Sequence, residues 1–228
     1  MAFPSDNWTL PVDGTEEGLA YTQVAPDVRL YDVRGRYSDG FGDGAVEKVG
    51  YAVHHDAVRL VLEPTIDAEL ERIAAIHRYH TTPAPAGNGW GGIGYHRLIA
   101  PTGRVYLVGS SASQRAHVRG LNHLWIGVCF MGDFTESRPT LAAMNAFRVM
   151  LQWETDQRGV PMLVRAHKGL NPGTVCPGDW AAPDAWATLT MQPGTSPAPP
   201  IVPVEPATRR RALDHLEQAA ALVRTLRD

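Results

Sequence analysis

The pattern of apolar and polar positions along the chain predicts a domain that contains both strands and helices. Short apolar runs that stop at polar or glycine-rich segments are typical of strands. A tight turn at residues 101–103 separates two of these runs and predicts that they form a hairpin. The predicted strands cover residues 49–54, a segment that ends at Ile99, and residues 104–108, 125–130 and 161–166.

Two longer segments carry apolar residues at three- and four-residue steps and therefore predict amphipathic helices. Thr65 precedes the first helix, over residues 66–79, and Thr140 precedes the second, over residues 141–157. A threonine directly before a helix can accept a hydrogen bond from a free backbone N–H group, so both residues predict helix starts. Gly159 predicts the end of the second helix.

The chain before and after these elements has a different character. Residues 1–45 are rich in Gly, Asp, Pro and Tyr, and we expect an extension packed over the main domain, with one short strand at residues 28–33. The main domain is expected to occupy residues 46–191 and to close with a short helix around residues 184–189.

The C-terminal part predicts a linker and a separate helix. Residues 192–207 are dominated by Pro, Gly, Ser, Thr and Val, a composition typical of an extended, semi-rigid linker. Residues 208–228 place Leu213, Leu216 and Val223 at helical spacing, which predicts an amphipathic helix. Its apolar seam would either dock on the main domain or pair with copies of itself, so a homo-oligomer is one expectation.

Composition and charge narrow the classes of protein that need consideration. The 228 residues include 44% hydrophobic and 20% charged residues, as in ordinary soluble globular proteins. A net charge of -3 and a pI near 6.3 argue against a general nucleic-acid binder, which normally carries a basic excess. Only two cysteines occur, which excludes a disulfide framework.

The hydrophobic pattern of the chain also bears on targeting and on membrane insertion. The N-terminal residues do not show a basic segment followed by an apolar one, and the sequence has no run of eighteen apolar residues. We therefore expect no membrane span and synthesis in a cytoplasm without a signal peptide. A substrate outside the cell would then be met only after release of the protein.

The segment at residues 164–180 carries the clearest chemical signal. An apolar run ends in His167, a loop rich in Gly, Pro and Asn follows, and Cys176 arrives nine positions later. This is how a chain presents an imidazole and a thiolate to one metal ion. Two ligands do not complete a site, so a third must come from elsewhere.

His54 is the natural candidate for the third ligand. It ends the first core strand as His167 ends the last, and such strand ends can be neighbours in one sheet. His55 points to the opposite side of an extended chain, so only one of the pair can face the metal directly. Three protein ligands and one open position are the plan of a catalytic zinc site, although a lone histidine at a strand end is more often a hydrogen-bonded structural residue.

Four blocks in order along the chain resemble the zinc-dependent N-acetylmuramoyl-L-alanine amidases, a family that includes the peptidoglycan recognition proteins and short phage endolysins. The blocks span more than half of the chain, from about residue 49 to residue 180. They are YAVHH at residues 51–55, GWGGIGYH at 89–96, the segment from His117 through Asn122 to IGV at 126–128, and the loop at 164–180.

The resemblance implies an α/β fold, with a single mixed central β-sheet flanked by helices as in these amidases and recognition proteins. It also implies one zinc ion as cofactor, with His54, His167 and Cys176 as its ligands. Two neutral imidazoles and one thiolate leave zinc a net positive charge, so that a bound water can supply hydroxide near neutral pH. The implied reaction is attack on the amide bond between the lactyl group of N-acetylmuramic acid and L-alanine in peptidoglycan.

The resemblance also assigns roles around the metal. Tyr95 matches a tyrosine beside the zinc, and Thr174 matches the threonine that recognition proteins carry where phage enzymes have lysine. Their hydroxyls are the candidate donors to the developing oxyanion. His117 matches a histidine along the substrate groove, and we expect Trp90 and Asn122 to bind substrate beside it. The general base stays unassigned.

The expected role is that of a phage-type endolysin that lyses the bacterial cell wall, with peptidoglycan as the partner. The main alternative is a module that binds muropeptide without cutting it. A cysteine hydrolase, with Cys176 as nucleophile and His54 or His167 as base, is a second alternative. A structural protein with a vestigial site is a third.

Overall fold

A nine-stranded mixed β-sheet forms the centre of the computed structural model, which describes residues 10–42, 47–59, 63–182 and 190–194. Within these residues the strand order is β1-β2-β3-β6-β5-β7-β4-β8-β9. The strands are β1 Gly14–Glu16, β2 Leu19–Ala25, β3 Val28–Asp32, β4 Gly50–His55, β5 Arg97–Ile99, β6 Val105–Leu107, β7 Trp125–Phe130, β8 Met162–Ala166 and β9 Thr190–Met191.

Two long helices cover the two faces of this sheet. Helix α1, Ile66–Thr81, packs its isoleucines against one face, and helix α2, Leu141–Arg158, packs Phe147 and Met150 against the other. Side chains alternate between the faces along each strand, so Val128 belongs to the core under α2 and Cys129 to the core under α1. The predicted fold class is thereby confirmed. The short helix α3, His167–Leu170, follows β8.

The starts of both helices agree with the sequence prediction. The hydroxyl oxygen of Thr65 accepts the backbone N–H of Ala68 at 3.3 Å, and that of Thr140 accepts the N–H of Ala143 at 3.1 Å. Each threonine thus satisfies a donor that has no partner inside its helix. Gly159 ends α2 with a φ of 66°, a left-handed conformation that glycine adopts without steric cost.

The register of the parallel strands β7, β4 and β8 brings their carboxyl ends to one edge of the sheet. Strand β4 lies between β7 and β8 and is parallel to both. Val53 pairs with Ala166, so His54, which is still within β4, and His167, which directly follows β8, lie side by side at this edge. The predicted hairpin is also present, since β5 and β6 pair antiparallel with Arg97 opposite Leu107.

The N-terminal segment differs from the expected extension. Strand β2 pairs antiparallel with both β1 and β3, and β3 pairs parallel with β6. They extend the sheet at its edge instead of packing over the domain. Only β3 agrees with a predicted strand, because hydrophobic periodicity is weak in the other two and their pairing is what makes them strands.

Glu16 fastens this added edge to the rest of the sheet. Its carboxylate receives Arg29 at 2.5 Å and Arg104 at 2.6 Å, and the hydroxyl of Tyr31 also donates to it. Burial raises the pKa of Glu16, but the hydrogen bonds from Arg104, Tyr31 and Arg29 outweigh this and lower it to about 2. The carboxylate is therefore charged across the physiological range, and it joins β1 to β3 and to Arg104, the residue directly before β6.

The described residues end shortly after the sheet. Strand β9 pairs antiparallel with β8, with Met191 opposite Met162. The predicted helix at residues 184–189, the C-terminal helix at 208–228 and the linker, apart from residues 192–194, lie outside the described residues. In the part of the chain that the structure describes, every helix is too short or too polar to cross a membrane.

Candidate functional site

Three predicted metal ligands converge at the carboxyl edge of the sheet. One ligand atom each from His54, His167 and Cys176 lies within 4.8 Å of the other two. Sγ of Cys176 is 3.7 Å from Nδ1 of His54, and the rings of His54 and His167 are 4.4 Å apart between centroids. Among the residues that the structure describes, this is the cluster of His, Cys, Asp or Glu that could hold a metal ion.

Backbone hydrogen bonds in the loop after α3 bring Cys176 to this edge. The N–H of Lys168 donates to the carbonyl oxygen of Cys176 at 2.8 Å, which returns the loop to its starting point. The ammonium of Lys168 donates to the carbonyl oxygen of Gly178 at 2.9 Å, and the N–H of His55 donates to Sγ of Cys176 at 3.3 Å. These hydrogen bonds hold the thiol of Cys176 against the end of β4.

Gly178 allows this loop to approach a neighbouring segment closely. Its φ is 103°, and a Cβ atom there would lie 1.9 Å from the carbonyl oxygen of Phe134. The N–H of Asp179 also donates to the carbonyl oxygen of Thr135 at 3.2 Å. Only glycine fits the position, so the segment around Phe134 forms a backing for the loop that carries Cys176.

The donor set fits a zinc ion. Both ring nitrogens of His167 are buried and have no hydrogen-bond partner in the structure. Buried polar atoms are normally satisfied, so such atoms indicate a ligand that the protein is built to receive. Tetrahedral zinc places a thiolate sulfur and an imidazole nitrogen about 3.5 Å apart, close to the observed separation between Cys176 and His54.

Burial sets the protonation of the three ligands. It lowers the pKa of His167 to about 4, with a further contribution from His55, and it lowers the pKa of His54 well below the usual value, helped by the nearby His167 and His117. Burial raises the pKa of the Cys176 thiol to about 12, although the N–H of His55 and the charge of Lys168 oppose the shift. Both imidazoles are therefore neutral and free to ligate near pH 7, whereas the thiol needs a cation to release its proton.

A cleft of about 410 Å³ opens beside His167. Trp90 forms part of its wall and is half-buried, with its ring 4.7 Å from that of His80. A Cβ at Gly94 would lie 2.7 Å from the Trp90 ring, so this glycine makes room for the indole. The cleft is lined by Trp90, Ala116, His117, Arg119, Gly120, Asn122, His167 and Asn171.

His117 reaches this cleft but makes its polar contacts on the inner side. Its side chain is almost fully buried, with Nδ1 3.1 Å from Nε2 of His54 and Nε2 3.1 Å from the carbonyl oxygen of Trp125. Burial and the nearby Lys48 lower the pKa of His117 to about 3. The polar atoms of the residue expected to bind substrate are thus directed at a metal ligand and at the backbone.

Asn122 is committed mainly to the loop that forms the cleft wall. Its side-chain oxygen accepts the backbone N–H groups of His117 at 2.8 Å and Val118 at 2.6 Å. The expected role in substrate binding is therefore limited to its side-chain nitrogen. The main structural role of the Asn122 side chain is to hold the backbone of His117 in place.

Tyr95 and Thr174 each lie next to one of the predicted metal ligands, Tyr95 beside His54 and Thr174 beside Cys176. The ring of Tyr95 is 5.3 Å from that of His54. Burial and then the neighbouring Cys129 raise the pKa of Tyr95 well above 10, so the phenol keeps its proton. The hydroxyl oxygen of Thr174 accepts the N–H of Cys176 at 3.1 Å, which leaves its own hydrogen available to a ligand.

Lys48 was not anticipated from the sequence. It is almost fully buried, and its ammonium donates to the carbonyl oxygens of Ser113 at 3.1 Å and Asn122 at 3.2 Å. It ties the loop that forms the cleft wall to the start of β4. A single lysine before an apolar run carries no pattern that distinguishes it from a surface residue, so its role is visible only in three dimensions.

Comparison with known proteins gives a family match over this region. A family model described as N-acetylmuramoyl-L-alanine amidase matches residues 47–179. Peptidoglycan-recognition protein SD of Drosophila simulans is 35% identical over 92 residues, which are 38% of this chain and 47% of that protein. Peptidoglycan recognition protein 3 of Homo sapiens is 37% identical over 60 residues, or 26% of this chain and 18% of that protein. The chain thus spans less than half the length of these curated relatives.

Solved structures share the fold at lower identity. Drosophila PGRP-LB superposes with a TM-score of 0.59 at 17% identity, over 70% of this chain and 91% of that chain. Peptidoglycan recognition protein-LE, solved in complex with tracheal cytotoxin, gives a TM-score of 0.54 at 22% identity, over 61% and 79%. The family model covers more than half of the chain and contains every predicted site residue. The resemblance inferred from the sequence is confirmed, and the chain belongs to the N-acetylmuramoyl-L-alanine amidase family.

Proposed function

We propose that the protein is a zinc-dependent N-acetylmuramoyl-L-alanine amidase that cleaves the bond between the lactyl group of N-acetylmuramic acid and L-alanine in peptidoglycan. The observation that carries this proposal is the convergence of His54, His167 and Cys176 within 4.8 Å, with both ring nitrogens of His167 buried and unpartnered. The similar recognition protein-LE is described in complex with a monomeric diaminopimelic acid-type peptidoglycan, which supports the substrate class.

His54, His167 and Cys176 would hold the zinc ion. When bound, zinc lowers the pKa of a coordinated water from about 15.7 toward about 7 and polarises a substrate carbonyl. The two imidazoles are neutral because burial lowers their pKa values, so the thiolate of Cys176 is the one charged ligand. That donor set leaves the centre a net positive charge, which the reaction requires.

The chain's own donors would complete the site. The hydroxyl oxygen of Thr174 accepts the N–H of Cys176, so its own hydrogen would remain available to donate to a bound carbonyl oxygen. Tyr95 remains a phenol at neutral pH and can donate a second hydrogen bond. Trp90 and Arg119 on the cleft wall would contact the glycan and the stem peptide.

The biological role that we propose is lysis of the bacterial cell wall, as in phage-type endolysins. Cleavage at the lactyl amide separates stem peptides from the glycan strands, and the wall loses its cross-links as a result. We further propose that residues 208–228 assemble the protein into a homo-oligomer that would engage several sites on an extended wall.

A non-catalytic peptidoglycan-binding module is the alternative, because the curated relatives carry the name of recognition proteins. Binding alone would require the cleft but not three converging ligands. The buried, unpartnered nitrogens of His167 favour the enzyme, since a binding module without zinc would leave them unsatisfied.

Metal analysis combined with product analysis tests the proposal. Purified protein should contain about one zinc per chain, and digestion of peptidoglycan should release stem peptides with a free L-alanine amino group, identified by mass spectrometry. A chelator should abolish release and added Zn²⁺ should restore it. Zinc-loaded protein that never releases stem peptides would refute the enzyme, and release that survives chelation but not iodoacetamide would indicate a cysteine hydrolase instead.

A further inference from the structure

We propose that His117 is a positioning residue that holds His54 in the tautomer whose Nδ1 is free to bind the metal. This inference rests on the proposed zinc site and assigns a function to a residue expected to bind substrate. The supporting observation is a chain of hydrogen bonds that runs from the carbonyl oxygen of Trp125 through His117 to His54.

The direction of these hydrogen bonds follows from the last acceptor. A carbonyl oxygen can only accept, so the nitrogen 3.1 Å from Trp125 O, which is Nε2 of His117, carries a hydrogen. In a neutral imidazole the other nitrogen, Nδ1, is then an acceptor. It lies 3.1 Å from Nε2 of His54, which must therefore be the donor.

The consequence appears on the far side of the His54 ring. With its hydrogen on Nε2, neutral His54 presents a lone pair at Nδ1. That atom lies 3.7 Å from Sγ of Cys176 and faces the ligand cluster. A metal-binding histidine commonly donates its other N–H to a fixed acceptor, which sets both its tautomer and its orientation.

Packing fixes the ring of His117 in the pose that this relay needs. A Cβ at Gly127 of β7 would lie 2.8 Å from the ring of His117. The imidazole therefore packs directly on the backbone of Gly127, where a larger residue would displace it. The rings of His54 and His96 meet it edge-on, at interplanar angles of 88° and 86°. The N–H of His117 is held by Asn122, so both backbone and ring are restrained.

His167 provides a contrast within the same site. Neither of its nitrogens has a partner, so no neighbouring group selects its tautomer before the metal binds. The tautomer of His54 is thus set by the protein before the metal binds, whereas that of His167 is not. We therefore expect the relay through His117 to contribute a measurable part of the affinity.

The test compares variants of His117 in competition with a chromophoric chelator for Zn²⁺. His117→Phe keeps an aromatic ring but removes the acceptor, and we expect about 10- to 100-fold weaker zinc binding. His117→Asn places an amide oxygen near the position of Nδ1 and should recover most of the affinity. His123→Phe, in the same loop, is the matched control and should bind zinc like the unmodified protein.

The tautomer itself is a second, independent readout. Long-range ¹H–¹⁵N correlation spectra of the metal-free protein should show the hydrogen of His54 on Nε2 and, in His117→Phe, a mixture of the two forms. Gly127→Ala keeps both imidazoles but displaces the ring of His117, and it should also weaken zinc binding.

The outcomes separate this inference from the proposed function. Unchanged zinc affinity in His117→Phe, or a hydrogen on Nδ1 of His54 in the metal-free protein, would overturn the positioning role while the zinc site stood. An unmodified protein that binds no Zn²⁺ would refute the metal site itself. If His117→Phe fails to fold, the spectrum of the unmodified protein still decides which nitrogen of His54 carries the hydrogen.

Discussion

Sγ of Cys176 lies 3.7 Å from Nδ1 of His54, although 122 positions separate the two residues along the chain. One atom belongs to a loop and the other to strand β4, which has a neighbouring strand on each side. A metal ion that binds both therefore links the loop to the core. Binding that requires the folded arrangement stabilises it, so zinc should act on folding as well as on catalysis.

Replacement of the ligand cysteine tests this link. In Cys176→Ala we expect the zinc content to fall below one per chain, amidase activity to be lost, and the thermal midpoint no longer to rise with added Zn²⁺. The physical reason is the loss of the one charged ligand. Free zinc at 100 times its Kd would stabilise the unmodified protein by about 2.7 kcal/mol.

The second free cysteine supplies the control for that experiment. Cys129 is buried in the core under α1 and is not one of the three converging ligands. Cys129→Ala should keep zinc and its stabilising effect, even if it lowers the overall stability. Equal zinc content in both alanine variants, measured by atomic emission, would contradict the assignment.

Thr174 should act on the rate and leave the metal in place. In Thr174→Val the donor to the substrate oxygen is lost, and removal of such a donor typically lowers kcat by about 10²- to 10³-fold. Thr174→Ser keeps the hydroxyl and should retain most of the activity. Because the hydroxyl also accepts the N–H of Cys176, zinc content is measured in parallel. A loss of zinc equal to the loss of rate would mean that Thr174 is structural.

Tyr95 gives a prediction about pH. Its pKa is raised well above 10 by burial and the neighbouring Cys129, so the protonated donor is present at neutral pH and remains so as pH rises toward 10. Tyr95→Phe should lower kcat at every pH without changing the shape of the profile. An alkaline decline below pH 10 that disappears in Tyr95→Phe would show that the phenol ionises earlier than its surroundings imply.

Glu16 gives a prediction about stability. Its pKa is lowered from 4.5 to about 2 in the folded protein, so its contribution is present above about 4.5 and is lost as pH falls toward 2. Glu16→Gln should lower the free energy of unfolding in urea at pH 7, and the difference from the unmodified protein should shrink between pH 4.5 and 2. Glu71→Gln, on an exposed position of α1, is the control and should show no such difference.

Truncation tests the proposed assembly through the C-terminal segment. The cut is best placed after Gly194, because Met191 belongs to strand β9 and pairs with Met162 of β8. We expect the truncated protein to be monomeric by light scattering, to cleave a soluble muropeptide normally and to clear whole cell walls more slowly. A monomeric intact chain, or equal clearing by both proteins, would contradict the proposal.

The sequence predicted the parts of the structure that depend on local chemistry. Thr65, Thr140 and Gly159 mark helix ends through hydrogen bonds and backbone conformations that involve only a few neighbouring residues. The convergence of His54 and His167 also followed from the sequence, because both residues end apolar runs that predict core strands and the carboxyl ends of parallel strands meet at one edge.

The remaining features depend on contacts between segments that are distant in the sequence. Strands β1 and β2 have weak periodicity and exist because they pair with β3 at the edge. The role of His117 depends on Nε2 of His54 and on Trp125 O, which no spacing along the chain reveals. Lys48 likewise acquires its contacts from a loop that is distant in sequence.

The close approach of Gly178 to Phe134 has a consequence for protein engineering. The loop that carries Cys176 and the segment around Phe134 fit each other at distances that leave no room for a side-chain atom. The cysteine loop and the segment around Phe134 therefore form one structural unit, although they come from two separate parts of the chain. A chimera that imports the cysteine loop from another amidase would need both pieces, because a foreign loop without its own backing would place the thiol in the wrong position.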